Sequence, residues 1–163
     1  MVVKNGLACG IMLALVGCAT KPVSNEQATP VPEKQIISTA LLEKRDGTGE
    51  VIIKRDSGFF GSACFSRVYV DGKEVADLGT AQKVVVYPTI GDHVFSAWPK
   101  GVCGGGMSEQ AGKVTTDRTL MYRIGYGSNG EYGIHQPRFN LCLGYVSFSH
   151  TPLPRFAPDS LVT

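Results

Sequence analysis

Residues 67–78 read RVYVDGKEVADL. In an extended chain Val68 and Val70 point to one face and Arg67 and Tyr69 to the other, the alternation of a half-buried strand. Asp71-Gly72 follows directly. An Asp-Gly pair between two strand-like runs is the strongest short hairpin signal, because a type I′ turn needs positive φ at both central residues. Lys73 to Leu78 is then the returning strand.

The same texture extends outward. Short runs rich in Val, Ile, Tyr and Phe are broken by glycine about every ten residues, the spacing of an antiparallel sandwich or barrel. Val51-Ile52-Ile53 is one run; Val84 to Tyr87 is another, with Pro88 to Asp92 as a turn and His93 to Trp98 as its partner. Further runs are Lys113 to Thr116, Leu120 to Gly125 and Cys142 to Ser149, while Ser38 to Arg45 is the one segment whose apolar residues could line a helix face. The expectation is an all-β fold, a single antiparallel β-sandwich over residues 36–150. Composition agrees: 163 residues with 20 glycines and 18% charged side chains fit one turn-rich domain better than long helices or charge-driven disorder. The net charge of +2 lacks the positive field that nucleic-acid binding requires, so no nucleic acid is expected as a partner.

Val68 to Lys73, Val84 to Tyr87 and Gly91 to Ser96 together resemble PEGA-like domains and small bacterial lipoproteins built on a prealbumin-like sandwich. The pattern covers about thirty residues and encodes two hairpins. Its usual Pro-Gly is spread out here, with Pro88 three residues before Gly91. The resemblance implies a non-catalytic envelope or cell-surface domain and names no ligand.

The N-terminus points to the same compartment. Lys4 is the only charge before an apolar run, Leu7 to Val16, which is as long as a signal-peptide core and too short to span a bilayer. The run closes with Leu15-Val16-Gly17-Cys18, which resembles the bacterial lipoprotein box. The resemblance implies that residues 1–17 are removed and that Cys18 carries a diacylglycerol thioether and becomes the mature, acylated N-terminus. Two or three acyl chains make such an anchor stable. Ala19, where an Asp would resemble inner-membrane retention, directs the expectation to the outer membrane, with the domain facing the periplasm. Residues 18–35 hold Pro22, Pro30 and Pro32 with no periodicity and read as a tether, reaching ~20 to 25 Å as a flexible chain. The proline-rich residues 151–163 read as an extended tail in which Phe156 is a candidate docking residue.

With Cys9 in the signal and Cys18 lipidated, the domain keeps Cys64, Cys103 and Cys142, in a compartment where disulfides form. Cys64 and Cys103 both sit in glycine-containing loops at the ends of strand-like runs, and their pairing is expected; Cys142, within Leu141-Cys142-Leu143, reads as a buried thiol. That bridge would gather Phe59, Phe60, Phe65 and Trp98 at one end of the sandwich. They read first as a local core on the disulfide; the functional alternative is that Phe59 and Phe60, in Ser57-Gly58-Phe59-Phe60-Gly61, stay exposed and contact a partner, possible for an envelope protein.

Motifs for chemistry are weak. Gly125 to Gly130 spells G-x-G-x-x-G, but Glu131 to Pro137 is no helix to receive a pyrophosphate, so a glycine turn is the better reading. Gly104-Gly105-Gly106 reads as a loop, with no Lys-Ser or Lys-Thr pair after it to make an anion nest. His93, His135 and His150 are scattered, without metal-ligand spacing. Asp92-His93 invites a triad, but no G-x-S-x-G elbow exists. Lys44-Arg45 and Lys54-Arg55 read as solvated basic pairs. The expectation is therefore no catalytic residue, metal or cofactor: a lipid-anchored binding or accessory module rather than an enzyme. The alternatives are an inhibitor of an exogenous envelope-attacking hydrolase and, behind it, a small hydrolase.

Overall fold

The computed structural model describes residues 20–137. They form an all-β sandwich. The strands are β1 (Thr29–Pro30), β2 (Val51–Arg55), β3 (Ser66–Val70), β4 (Lys73–Leu78), β5 (Gln82–Val86), β6 (Gly91–Pro99), β7 (Ser108–Val114), β8 (Leu120–Tyr126) and β9 (Tyr132–His135). One sheet has the order β1-β5-β2-β8-β9, the other β4-β3-β6-β7. The second sheet is antiparallel throughout; the first is mixed, because β2 runs parallel to β8 and β1 parallel to β5.

The β3–β4 hairpin forms as its sequence dictates. Asp71 and Gly72 have φ of 50° and 72°, the pair of positive values that a type I′ turn requires. Val68 and Val70 face inward, meeting Val51 and Ile53 of β2, Phe95 and Ala97 of β6, and Tyr122 and Ile124 of β8 in one buried cluster. Phe95 and Tyr122 stack across it with ring centroids 4.6 Å apart.

Three expectations are corrected. First, β5 and β6 are not a hairpin: β5 pairs with β2 and β6 with β3, so Tyr87 to Ile90 carries the chain from one sheet to the other. Second, Ser38 to Arg45 is not helical. The backbone of this stretch serves the sheet edges, with Ser38 N donating to Val75 O (3.2 Å) and Tyr87 N to Leu41 O (2.7 Å), while Leu41 and Leu42 pack on the core. Eight residues are too few to hold a helix against that competition.

Third, the expected tether is not free. From Thr20 on it is docked: Lys21 and Ser57 exchange backbone hydrogen bonds, β1 pairs with the edge of β5, and Val23 and Ala28 are buried. A three-residue 3-10 turn, Glu33–Gln35, then leads to Ile37, whose N–H donates to Val75 O (2.8 Å) on the edge of β4. Residues 20–42 thus strap the open side between the two sheets and cover both of its edges, which would otherwise present unpaired backbone groups. Lys113 to Thr116 corresponds to β7, shifted toward the N-terminus, and β9 is a strand that the sequence reading does not contain. Cys18, Cys142, the run Cys142 to Ser149, His150, Phe156 and the tail 151–163 lie outside the described residues.

Candidate functional site

The two ends of the sandwich differ in chemistry. At one end β2, β4, β6 and β8 finish and β3, β5, β7 and β9 begin, as the pairs Ser66 with Leu78 and Pro99, Lys54 with Lys83, and Tyr126 with Tyr132 establish. The loops there are 56–65, 100–107 and 127–131, with the short connection 79–81 between β4 and β5. At the other end the turns carry Asp46, Glu50, Asp71, Asp117 and Arg118.

Cys64 and Cys103 are disulfide-bonded, with Cα atoms 6.1 Å apart, and tie the first two loops together. Arg55 supports them from inside. It is 4% exposed at the end of a central strand, and its guanidinium donates to the carbonyls of Cys64, Leu78 (3.0 Å) and Gly61. Burial lowers its pKa, and the neighbouring Tyr132 and Tyr126 hydroxyls offset part of that. The basic pair Lys54-Arg55 is therefore not a solvated face. Lys54 is buried as well and donates to Asn25 Oδ1 (3.0 Å), so both cations are used to fasten loops.

Gly61 must be glycine: its φ is 72°, and a Cβ would lie 2.4 Å from Tyr126 Cε2. This close approach seats Phe60 edge-on against Tyr126, with centroids 5.0 Å apart at 84°. Phe60, Val102, Gly104, Gly105, Tyr126 and Gly130 line a shallow cleft of about 490 Å³. Burial raises the Tyr126 pKa, and its hydroxyl donates to Gly104 O (3.3 Å). Tyr132, deeper, is also raised by burial.

The four aromatic rings that the disulfide was expected to collect into a local core are instead exposed. Phe59 is 96% accessible at the loop tip, and Phe60, Phe65 and Trp98 are each about half so. Val102, beside Cys103, is 98% accessible. Sequence reasoning placed the aromatic rings at the correct end but missed Val102, Met107 and the buried Arg55; the clustering of Gly, Ser and apolar residues without charge around both cysteines is the signal that could have found the surface.

The remaining candidates have structural roles. His93 Nδ1 lies 2.7 Å from Asp71 Oδ2 and Nε2 2.8 Å from Thr89 O, so the ring braces the hairpin turn against the crossover. Gly125 ends in β8, and residues 127–131 turn into β9 with Gly127 N donating to Glu131 O (2.8 Å). Among the described residues no three His, Cys, Asp or Glu side chains cluster as metal ligands. Comparison with family models, with curated proteins and with solved structures finds no match to the chain.

Proposed function

We propose that the protein is a lipid-anchored component of a bacterial cell envelope, held by acylated Cys18 in the outer membrane and facing the periplasm, with the sandwich acting as a non-catalytic binding or accessory module. The observation that carries this reading is Leu15-Val16-Gly17-Cys18 at the close of the apolar run Leu7 to Val16. The disulfide between Cys64 and Cys103 supports an oxidising compartment. The polar side chains support a non-catalytic module, because the strongest of them brace the fold: Arg67 binds Asp77 and Glu74, Lys100 binds Asp77, and Arg123 binds Asp56.

The test is the mass of the N-terminal peptide of protein isolated from a Gram-negative host's membranes, together with fractionation of C18S. An acylated peptide beginning at Cys18, and release of C18S from the membrane fraction, is the expected result. An unmodified N-terminus, or C18S that has lost residues 1–17 and is still not released from the membrane by high salt or carbonate, overturns the proposal.

A further inference from the structure

Thr20 is fixed to the end of the sandwich that holds the disulfide. Its N–H donates to Tyr126 O (3.1 Å), its Oγ1 accepts from Tyr126 N (3.0 Å), and a Cβ on Gly58 would lie 3.3 Å from its Cα. Phe59, the most exposed aromatic side chain of that end, is therefore one residue from a group touching Thr20. Two peptide units separate Thr20 from Cys18, a span of at most about 7 to 8 Å. The headgroup layer on each side of a bilayer is itself only about 5 to 7 Å thick. An acylated Cys18 sits at the boundary with the hydrocarbon, so its two-residue link holds the Thr20 end within the headgroups.

What that end presents fits such a position. Residues 57–66, 101–108 and 124–130 contain no Asp, Glu, Lys, Arg or His, where the chain's average of 18% charged residues would place several. Six of the nine large hydrophobic side chains left exposed among the described residues are there: Phe59, Phe60, Phe65, Trp98, Val102 and Met107. Of the flanking charges, Asp56, Arg67, Lys100 and Arg123 are held in ion pairs, and Lys21, Glu109 and Glu131 are exposed at the margin of the surface. Exposed Phe, Trp and aliphatic side chains beside a lipid attachment point are a composition that partitions into the membrane interface.

We infer that the Phe59–Phe60 and Val102 loops form a lipid-contacting surface that lays this end of the sandwich on the membrane and turns the charged end, with Asp71 and His93, toward the aqueous space. This orientation rests on the acylation of Cys18 proposed above. The protein is thereby held end-on against the surface rather than displayed on a flexible stalk, and any soluble partner meets the charged end.

The test uses the mature acylated full chain in vesicles of phosphatidylethanolamine and phosphatidylglycerol brominated at shallow acyl positions. In a W98F background, F59W is compared with I90W at the opposite end. The expected result is quenching of F59W about two- to threefold stronger than that of I90W, with a blue-shifted emission. Equal quenching of the two, with acylation verified by mass, overturns the surface while leaving the anchor intact; an unacylated Cys18 overturns the anchor itself. F59W that is unquenched but crosslinks in intact cells to one envelope protein, or to an inhibited hydrolase, assigns the loops to a protein and also overturns the inference. Amide exchange of the unsubstituted chain provides an independent measurement. Loops 57–62 and 101–107 should exchange more slowly on vesicles than in soluble C18S, with loops 46–49 and 87–90 unchanged, and equal exchange in both overturns it.

Discussion

Arg55 holds the carbonyl of Cys64 from within the sandwich, and with it one half of the disulfide. The same guanidinium serves Leu78 and Gly61, so one buried cation fixes the end of β4 and the C-terminal arm of the Phe59–Phe60 loop. A buried charge is tolerated here because its donors meet carbonyl oxygens. R55L removes those donors and leaves the carbonyls to find water, at a cost of about 2–4 kcal/mol. R55K keeps a charge but cannot make the fork, and should recover only part of the loss. Urea denaturation of the oxidised proteins measures both; an R55L midpoint equal to wild type would show that the loop is held by the disulfide alone.

The disulfide should contribute separately. Cys64 and Cys103 close a loop with a sequence separation of 39, for which the chain-entropy model gives about 4 kcal/mol. C64S/C103S is expected to lower stability by an amount of that order without changing far-UV circular dichroism. A change below about 1 kcal/mol would mean that the reduced chain already holds these loops together.

The hairpin, the disulfide and the all-β class were legible because each depends on residues close in sequence or on a chemistry that names its own partner. Asp71-Gly72 specifies its turn locally, and a cysteine pairs only with another cysteine. The partner of β5 was not legible: Val84 and Val86 suit any strand that buries alternate residues, and only the core decides that β2 receives them. Lys54 and Arg55 misled for the same reason. Their charges suggested an exposed edge, whereas their acceptors come from Asn25 and from the carbonyls of residues 61, 64 and 78, which nothing in the local sequence advertises. The prolines of residues 18–35 suggested a stalk, but Pro30 lies on an edge strand, where a missing N–H costs no ladder bond when it faces away from the sheet.

Acid should weaken the Asp77 cluster. Burial pushes the Asp77 carboxyl up, but hydrogen bonds and charge from Arg67 and Lys100 outweigh it and leave the pKa below the ordinary value. A carboxyl whose folded pKa is depressed stabilises fully above its unfolded value of about 4, and that contribution is lost as pH falls through the folded pKa. Stability should therefore hold from neutrality to about pH 5 and decline below it. D77N, losing about 1–2 kcal/mol at neutral pH, should show a shallower decline. Identical acid slopes for wild type and D77N would remove Asp77 from the explanation.

The docked N-terminal segment makes the sharpest demand on sequence. Ala28 is 3% exposed between the β5 edge and the strap's own turn, where Ala28 N donates to Ser24 O (3.1 Å), and Lys83 Nζ reaches Asn25 O (2.6 Å) just before it. No carboxylate can enter that space without leaving a buried charge, so A28D should release residues 20–31 while the two sheets persist. The amides of Thr29 and Val31, which donate to Ala81 and Lys83 (2.9 and 2.8 Å), should then exchange at least about tenfold faster, and stability should fall by about 1–3 kcal/mol. Uncovering β5 also leaves an unpaired edge, so A28D should self-associate where the wild type does not. Unchanged exchange at Thr29 and Val31 in A28D would mean that the segment is held by its backbone ladder and by the Lys21–Ser57 pair rather than by burial of Ala28.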